Sequence, residues 1–198
     1  MDLSKVKLIV TDMDGTLLNS EHNVSNLFFE QFEILKAKNI KFVAASGRQY
    51  HSILDKLKSI KEHITIVAEN GAYVMANEQE LYVNAIAHND VLKLINISKK
   101  IPNTHIILCG KKKAYFLKDS GEFKDIVTEY YSEYELIDSF DTLPNDDFFK
   151  MHNSKQGGGA VGSLTENLVT RTDLYLQPLI LALIPFMQPH LYSDFEQQ

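Results

Sequence analysis

Short β-branched runs alternate with helical stripes through the first third of the chain. Residues 7–11 (KLIVT) lack polar alternation, the pattern of a strand buried on both faces of a parallel sheet, and lead into an Asp-rich turn at 12–15. Ser25 stands where an N-cap belongs. Phe28, Phe32 and Leu35 then recur at helical spacing toward Lys38, and Asn39 can close the helix. Lys41 to Ala45 (KFVAA) repeats the strand pattern and Ser46-Gly47-Arg48 turns the chain. Tyr50, Ile53, Leu54, Leu57 and Ile60 mark a second helix face, and Ile64 to Ala68 (ITIVA) is a third strand. Three buried-type strands separated by two amphipathic helices predict βαβ crossovers and an α/β, doubly wound (Rossmann-like) parallel-sheet core. Ligands of such sheets bind beyond the carboxyl ends of the strands. Asp12, Ser46 and Glu69-Asn70 all follow predicted strands, so three separated segments converge on one edge.

From Tyr73 the pattern changes. Tyr73 to Ala76 and Leu81 to Ala85 flank the polar stretch 77–80 and predict a hairpin. Beyond it the chain predicts an α+β module: a helix at 90–100 stopped by Pro102, strands at 104–109 and 114–117 around a Gly-Lys turn, a helix at 122–131, and strands at 135–137 and 148–151. The expected organisation is a core at 1–84, an inserted α+β domain at 85–152, and an atypical segment at 153–198. In that last segment the run Gly157-Gly158-Gly159 and Pro178, Pro185 and Pro189 leave the structure unassigned.

Composition narrows the partners. At 198 residues and 44% hydrophobic residues the chain can bury a sizeable core, and a net charge of -6 gives no basic footprint for nucleic acid. The one tight basic run, Lys111 to Lys113, falls in the Gly-Lys turn and predicts a solvated face. The single Cys109 forms no internal disulfide, which suits a reducing cytoplasm. No export signal is visible at the N-terminus. The most apolar window, Leu174 to Met187, is broken by Pro178 and Pro185 and falls short of the ~20 apolar residues a bilayer needs, so no membrane partner is expected. The seven histidines are scattered, with no pair at metal-ligand spacing.

The segment Asp12-Met13-Asp14-Gly15-Thr16-Leu17-Leu18 carries the chemistry. Two carboxylates two positions apart at a strand's end can face one pocket when the second lies in a turn, and Gly15 supplies the backbone freedom. One can attack while the other moves protons. A phosphate monoester dianion repels an incoming carboxylate, and a hard divalent cation such as Mg²⁺ relieves that repulsion. Directly after a hydrophobic strand, this Asp-x-Asp-Gly-Thr-Leu hexapeptide resembles the signature of the haloacid dehalogenase superfamily, and the chain as a whole resembles its Cof-like phosphatases with an inserted cap domain.

The resemblance implies that Asp12 is the nucleophile forming an aspartyl-phosphate. Asp14 is implied as the general acid and base, and both as ligands of Mg²⁺. Ser46-Gly47-Arg48 matches the second motif, implied to hold the transferring phosphoryl group. Glu69-Asn70-Gly71-Ala72 resembles the turn before the cap, which makes Asn70 a substrate-binding candidate beside Ser46, Gly47 and Arg48. The implied substrate is a small phosphorylated metabolite such as a sugar phosphate.

The match extends over roughly residues 6–150. The family's later Lys and its Gly-Asp-x-x-x-Asp type motif have no counterpart, and Lys155 and Asp173 are poor substitutes. The expectation is therefore a core lacking its second half, as in a shortened coding region, with catalysis weak or absent. The alternative function is a catalytically impaired homologue that binds phosphometabolites without turning them over. Nothing in the sequence indicates an oligomeric state.

Overall fold

The computed structural model describes residues 5–118, 124, 127, 130–155, 162 and 163. These fall into two compact units, one holding 5–47 and 53–83, the other 48–52 and the described residues from 84 onward.

The first unit is built on a five-stranded sheet in the order β1-β2-β3-β4-β5. Strands β1 (Leu8–Asp12), β2 (Lys41–Ala45) and β3 (Ile64–Ala68) are parallel, and β4 (Tyr73–Ala76) and β5 (Gln79–Val83) continue antiparallel. Asp12 lies opposite Ala45 and Ala45 opposite Val67, so the three parallel strands end level with one another. Every residue of β3 is buried. Val43, Val67 and Val74 form a cluster along β2, β3 and β4. Phe42, which points the other way from Val43 as strand alternation requires, meets the rings of Phe28 and Phe32 of α1 (Asn26–Ala37) at 5.1 and 6.0 Å. Helix α1 starts as expected: the Ser25 hydroxyl oxygen accepts from the Phe28 N–H at 3.2 Å. Asn39, at φ 54°, follows its end.

Three sequence expectations need adjustment here. Strand β1 runs to Asp12 and is only half buried, with Val10 40% exposed, because it has a strand neighbour on one side only among the described residues. The second helix, α2 (Tyr50–Leu57), gives way to 3₁₀ turns over Lys58–His63, which still bury Ile60. The hairpin turn needs only Asn77 and Glu78, at φ 49° and 61°, so Gln79 and Glu80 join the ladder opposite Ala76 and Met75.

The second unit is a sheet in the order β10-β9-β6-β7-β8 with α3 (His88–Ser98). Its strands are β6 (Thr104–Gly110), β7 (Ala114–Leu117), β8 (Tyr134–Ile137), β9 (Phe148–Lys155) and β10 (Gly162–Ser163); β7 and β8 are parallel and the other pairs antiparallel. Alternating residues of β6 enter two clusters. Ile106 and Leu108 pack with Val91 and Ile95 of α3, Phe148 and Met151. Ile107 and Cys109 pack with Ala114, Phe116, Val127 and Tyr131.

The helix expected at 122–131 lies largely outside the described residues, as does most of 153–198. Where the latter is described it corrects the sequence reading: β9 continues past Met151 to Lys155, with His152 and Asn153 in register opposite Ile107 and Ile106. Pairing on both sides of the strand holds these polar residues in the ladder. No helix among the described residues is long and apolar enough to cross a membrane.

Candidate active site

The level ends of β1, β2 and β3 gather most of the expected site residues at one edge of the first unit. Asp12 is the last residue of β1, with an exposed side chain. The chain then makes a wide turn over Met13–Leu17, closed by the Leu18 N–H donating to the Met13 carbonyl at 2.8 Å. Met13 is fully buried beneath the turn and Gly15 adopts φ 71°, which a residue with a side chain reaches only at a cost. Buried Met13 thus pins a turn whose neighbouring carboxylates, Asp12 and Asp14, both face solvent. The His22 Nδ1 atom approaches an Asp14 oxygen at 4.0 Å with both side chains about half exposed, a contact that contributes little.

Ser46 and Asn70 are tied together by the backbone. The Ser46 N–H donates to the Val67 carbonyl at 2.9 Å and the Asn70 N–H to the Ser46 carbonyl at 3.2 Å. Gly47 lies so close to Asn70 that a Cβ there would sit 2.6 Å from the Asn70 Oδ1 atom. Glu69, Asn70 and Gly71 all have positive φ, at 55°, 55° and 92°. Asn tolerates this conformation, whereas Glu69 is strained by about 1–3 kcal/mol, the kind of strain that folds keep near sites. Glu69 is also buried, at 3% exposure. Asn70 is exposed.

Arg48 groups with the second unit, where its guanidinium lies 5.6 Å from the centre of the Tyr130 ring. The adjoining Gln49 and Ser52, which the sequence reading passed over, are buried and hydrogen-bonded to the 130–133 backbone. One signal could have found Gln49: at helical spacing it continues the stripe of Ile53 and Leu57, so a polar residue occupies an apolar face.

Farther along the second unit, the Lys111 to Lys113 turn is organised by Asp146. Its carboxylate accepts from the Lys112 N–H at 3.0 Å and from the Tyr115 hydroxyl at 2.9 Å. Burial, reinforced by that bond, raises the Tyr115 pKa well above the usual phenol range.

A divalent cation would find two hard carboxylate donors in Asp12 and Asp14. Mg²⁺ is commonly held by one or two carboxylates, with water and substrate oxygens completing its shell, so the donor chemistry fits. Among the described residues no group of three or more His, Cys, Asp or Glu side chains gathers around a common point.

Comparison with known proteins bears on this geometry. A family model described as haloacid dehalogenase-like hydrolase matches residues 9–166. The Escherichia coli K12 protein named 5-amino-6-(5-phospho-D-ribitylamino)uracil phosphatase is 35% identical over 147 residues, which cover 73% of this chain and 54% of that protein. A crystal structure from Streptococcus mutans superposes with a TM-score of 0.70 at 34% identity, covering 75% of this chain and 57% of that one. A shorter likeness, 61% identity over 44 residues, links 22% of this chain to 26% of an inosine/xanthosine triphosphatase from Aliivibrio fischeri. The chain spans about half the length of the curated phosphatase.

Proposed function

The chain belongs to the haloacid dehalogenase-like hydrolases, and on that premise we propose that it carries the nucleophile half of a Mg²⁺-dependent phosphatase site acting on a small phosphorylated metabolite. The observation that carries this reading is the placement of Asp12 at the end of β1 on the same sheet edge as the Ser46–Asn70 pair.

In the proposed reaction Asp12 attacks the phosphorus in line, the bond to the leaving oxygen breaks, and an aspartyl-phosphate forms. Asp14, placed by the Gly15 turn, gives a proton to the leaving oxygen and later takes one from the water that hydrolyses the intermediate. The Ser46 hydroxyl and the Gly47 N–H hold oxygens of the transferring group, with Asn70 setting the position of Gly47. Asp12 and Asp14 would hold Mg²⁺, which when bound neutralises the charge shared by the carboxylates and the phosphate. Arg48, next in the chain after Gly47, would meet substrate anions. The E. coli relative's named substrate carries a phosphorylated ribityl chain, which agrees with a sugar-phosphate class of substrate here.

The test is hydrolysis of p-nitrophenyl phosphate and a panel of sugar phosphates, with and without Mg²⁺, by the purified chain and by Asp12→Asn. Metal-dependent turnover that disappears in Asp12→Asn supports the reading. Phosphate binding by a folded chain without turnover favours a protein that binds phosphometabolites and does not process them.

A further inference from the structure

The proposed chemistry makes no use of the loop that follows the Gly15 turn, yet one asparagine holds that loop in a closed hairpin. Leu18 and Val24 pair as an antiparallel bridge across its base. Just inside, the Asn19 N–H donates to the Asn23 carbonyl at 3.0 Å, and the Asn19 Oδ1 atom accepts from the Glu21 N–H at 3.0 Å and the Asn23 N–H at 2.9 Å. The His22 N–H donates to the Asn19 carbonyl at 2.9 Å and closes the tip. His22 itself stands at φ 55°, a left-handed conformation in which His is enriched among non-glycine residues.

This hairpin decides where the imidazole goes. Its Nδ1 atom lies 4.0 Å from an Asp14 oxygen, with both side chains about half exposed. So exposed a contact contributes little, and it is the bonds through Asn19 that hold the His22 backbone. All of these residues lie in the first unit. A general acid works at hydrogen-bond distance, about 2.6–3.2 Å, from the oxygen it protonates. A ring beside the Asp14 carboxylate is therefore also beside the first carbons of the leaving group. Sugar and polyol phosphates carry a hydroxyl there. A neutral imidazole offers one donor and one acceptor, so either nitrogen can bond to a hydroxyl.

We propose that His22 is a specificity-determining residue of the site, hydrogen-bonding a hydroxyl of the leaving group and so favouring sugar and polyol phosphates over esters that lack one. A site built to bond a hydroxyl rejects the analogue without it, because its polar group is then left unpaired. The proposal rests on the phosphatase reading for the position of the leaving oxygen.

The experiment compares glycerol 3-phosphate with propyl phosphate, the same three carbons with and without hydroxyls, in the presence of Mg²⁺. The wild-type chain is expected to prefer glycerol 3-phosphate in kcat/KM. His22→Ala is expected to lower the ratio of the two values about tenfold, in line with the loss of one hydrogen bond. His22→Asn, which suits the positive φ and keeps polar atoms near the place of Nδ1, should recover most of that ratio. A merely structural role would lower both values alike and leave the ratio standing. A wild-type chain without the preference, or an active His22→Ala with the wild-type ratio, would overturn the proposal and leave the phosphatase reading intact. A wild-type chain that hydrolyses neither ester nor p-nitrophenyl phosphate would fail that reading instead. The ratio of the two Kd values by calorimetry then decides the role of His22, and a ratio unchanged in His22→Ala, or no binding of either ester, would overturn it.

Discussion

Strands β1 and β6 are both short apolar runs, yet they are held in opposite ways. Strand β6 is paired on both sides and contributes to a cluster on each face, so Ile107, Leu108 and Cys109 are all buried. Strand β1 is paired to β2 alone among the described residues, leaves Val10 40% exposed, and leads into two solvent-facing carboxylates, Asp12 at its end and Asp14 in the turn beyond. The sequence of β6 answers to packing, whereas that of β1, on the proposed reading, answers to what its last residue must do. Where burial is complete a substitution should be felt as stability, and where it is partial a substitution should be felt as chemistry.

The sharpest way to break that contrast is by truncation. Leu108, fully buried in β6, is expected to cost about 2–5 kcal/mol as Leu108→Ala, while Val10→Ala in β1 should cost less than about 1 kcal/mol; urea unfolding measures both. Equal losses would mean that β1 is packed as tightly as β6.

A pH series offers a second effect, smaller per pH unit and confined to the second unit. Burial, with the charge of Lys150 as a lesser cause, depresses the His152 pKa from 6.5 to about 3. Its folded pKa lies below the unfolded one, so the stability it contributes is present above about pH 6.5. Between 6.5 and 3 the unfolded chain takes up the proton first, and stability falls by up to about 1.4 kcal/mol per pH unit. His152→Phe should flatten this slope, and an unchanged slope would assign the acid sensitivity elsewhere. The smallest expected effect returns to the first unit: Ser25→Ala removes the cap on α1 and should cost about 1 kcal/mol by the same unfolding assay, leaving the β1 carboxylates in place.

Much of the first unit was legible in the sequence because its signals are local. The bounds of β2 and β3 follow from the runs KFVAA and ITIVA, and the start of α1 from Ser25, since cap and periodicity agree there. The Asp-x-Asp-Gly turn announced the candidate site before any geometry was known. What escaped were features decided by partners distant in sequence. The polar end of β9 has no assignable structure until β6 is set beside it. Gln49 and Ser52 draw no attention until the 130–133 backbone supplies their bonds, and the one-sided pairing of β1 among the described residues depends on which strands flank it.

The measurement that tests the central claim most directly is trapping of the intermediate: the chain is quenched in acid during incubation with p-nitrophenyl phosphate and Mg²⁺, then digested and weighed by mass spectrometry. The account predicts one phosphoryl group on the peptide containing Asp12, absent from Asp12→Asn and accumulating in Asp14→Asn, where the water is no longer activated. Phosphate release by the wild-type chain with no label at Asp12, or a label that persists in Asp12→Asn, would contradict it.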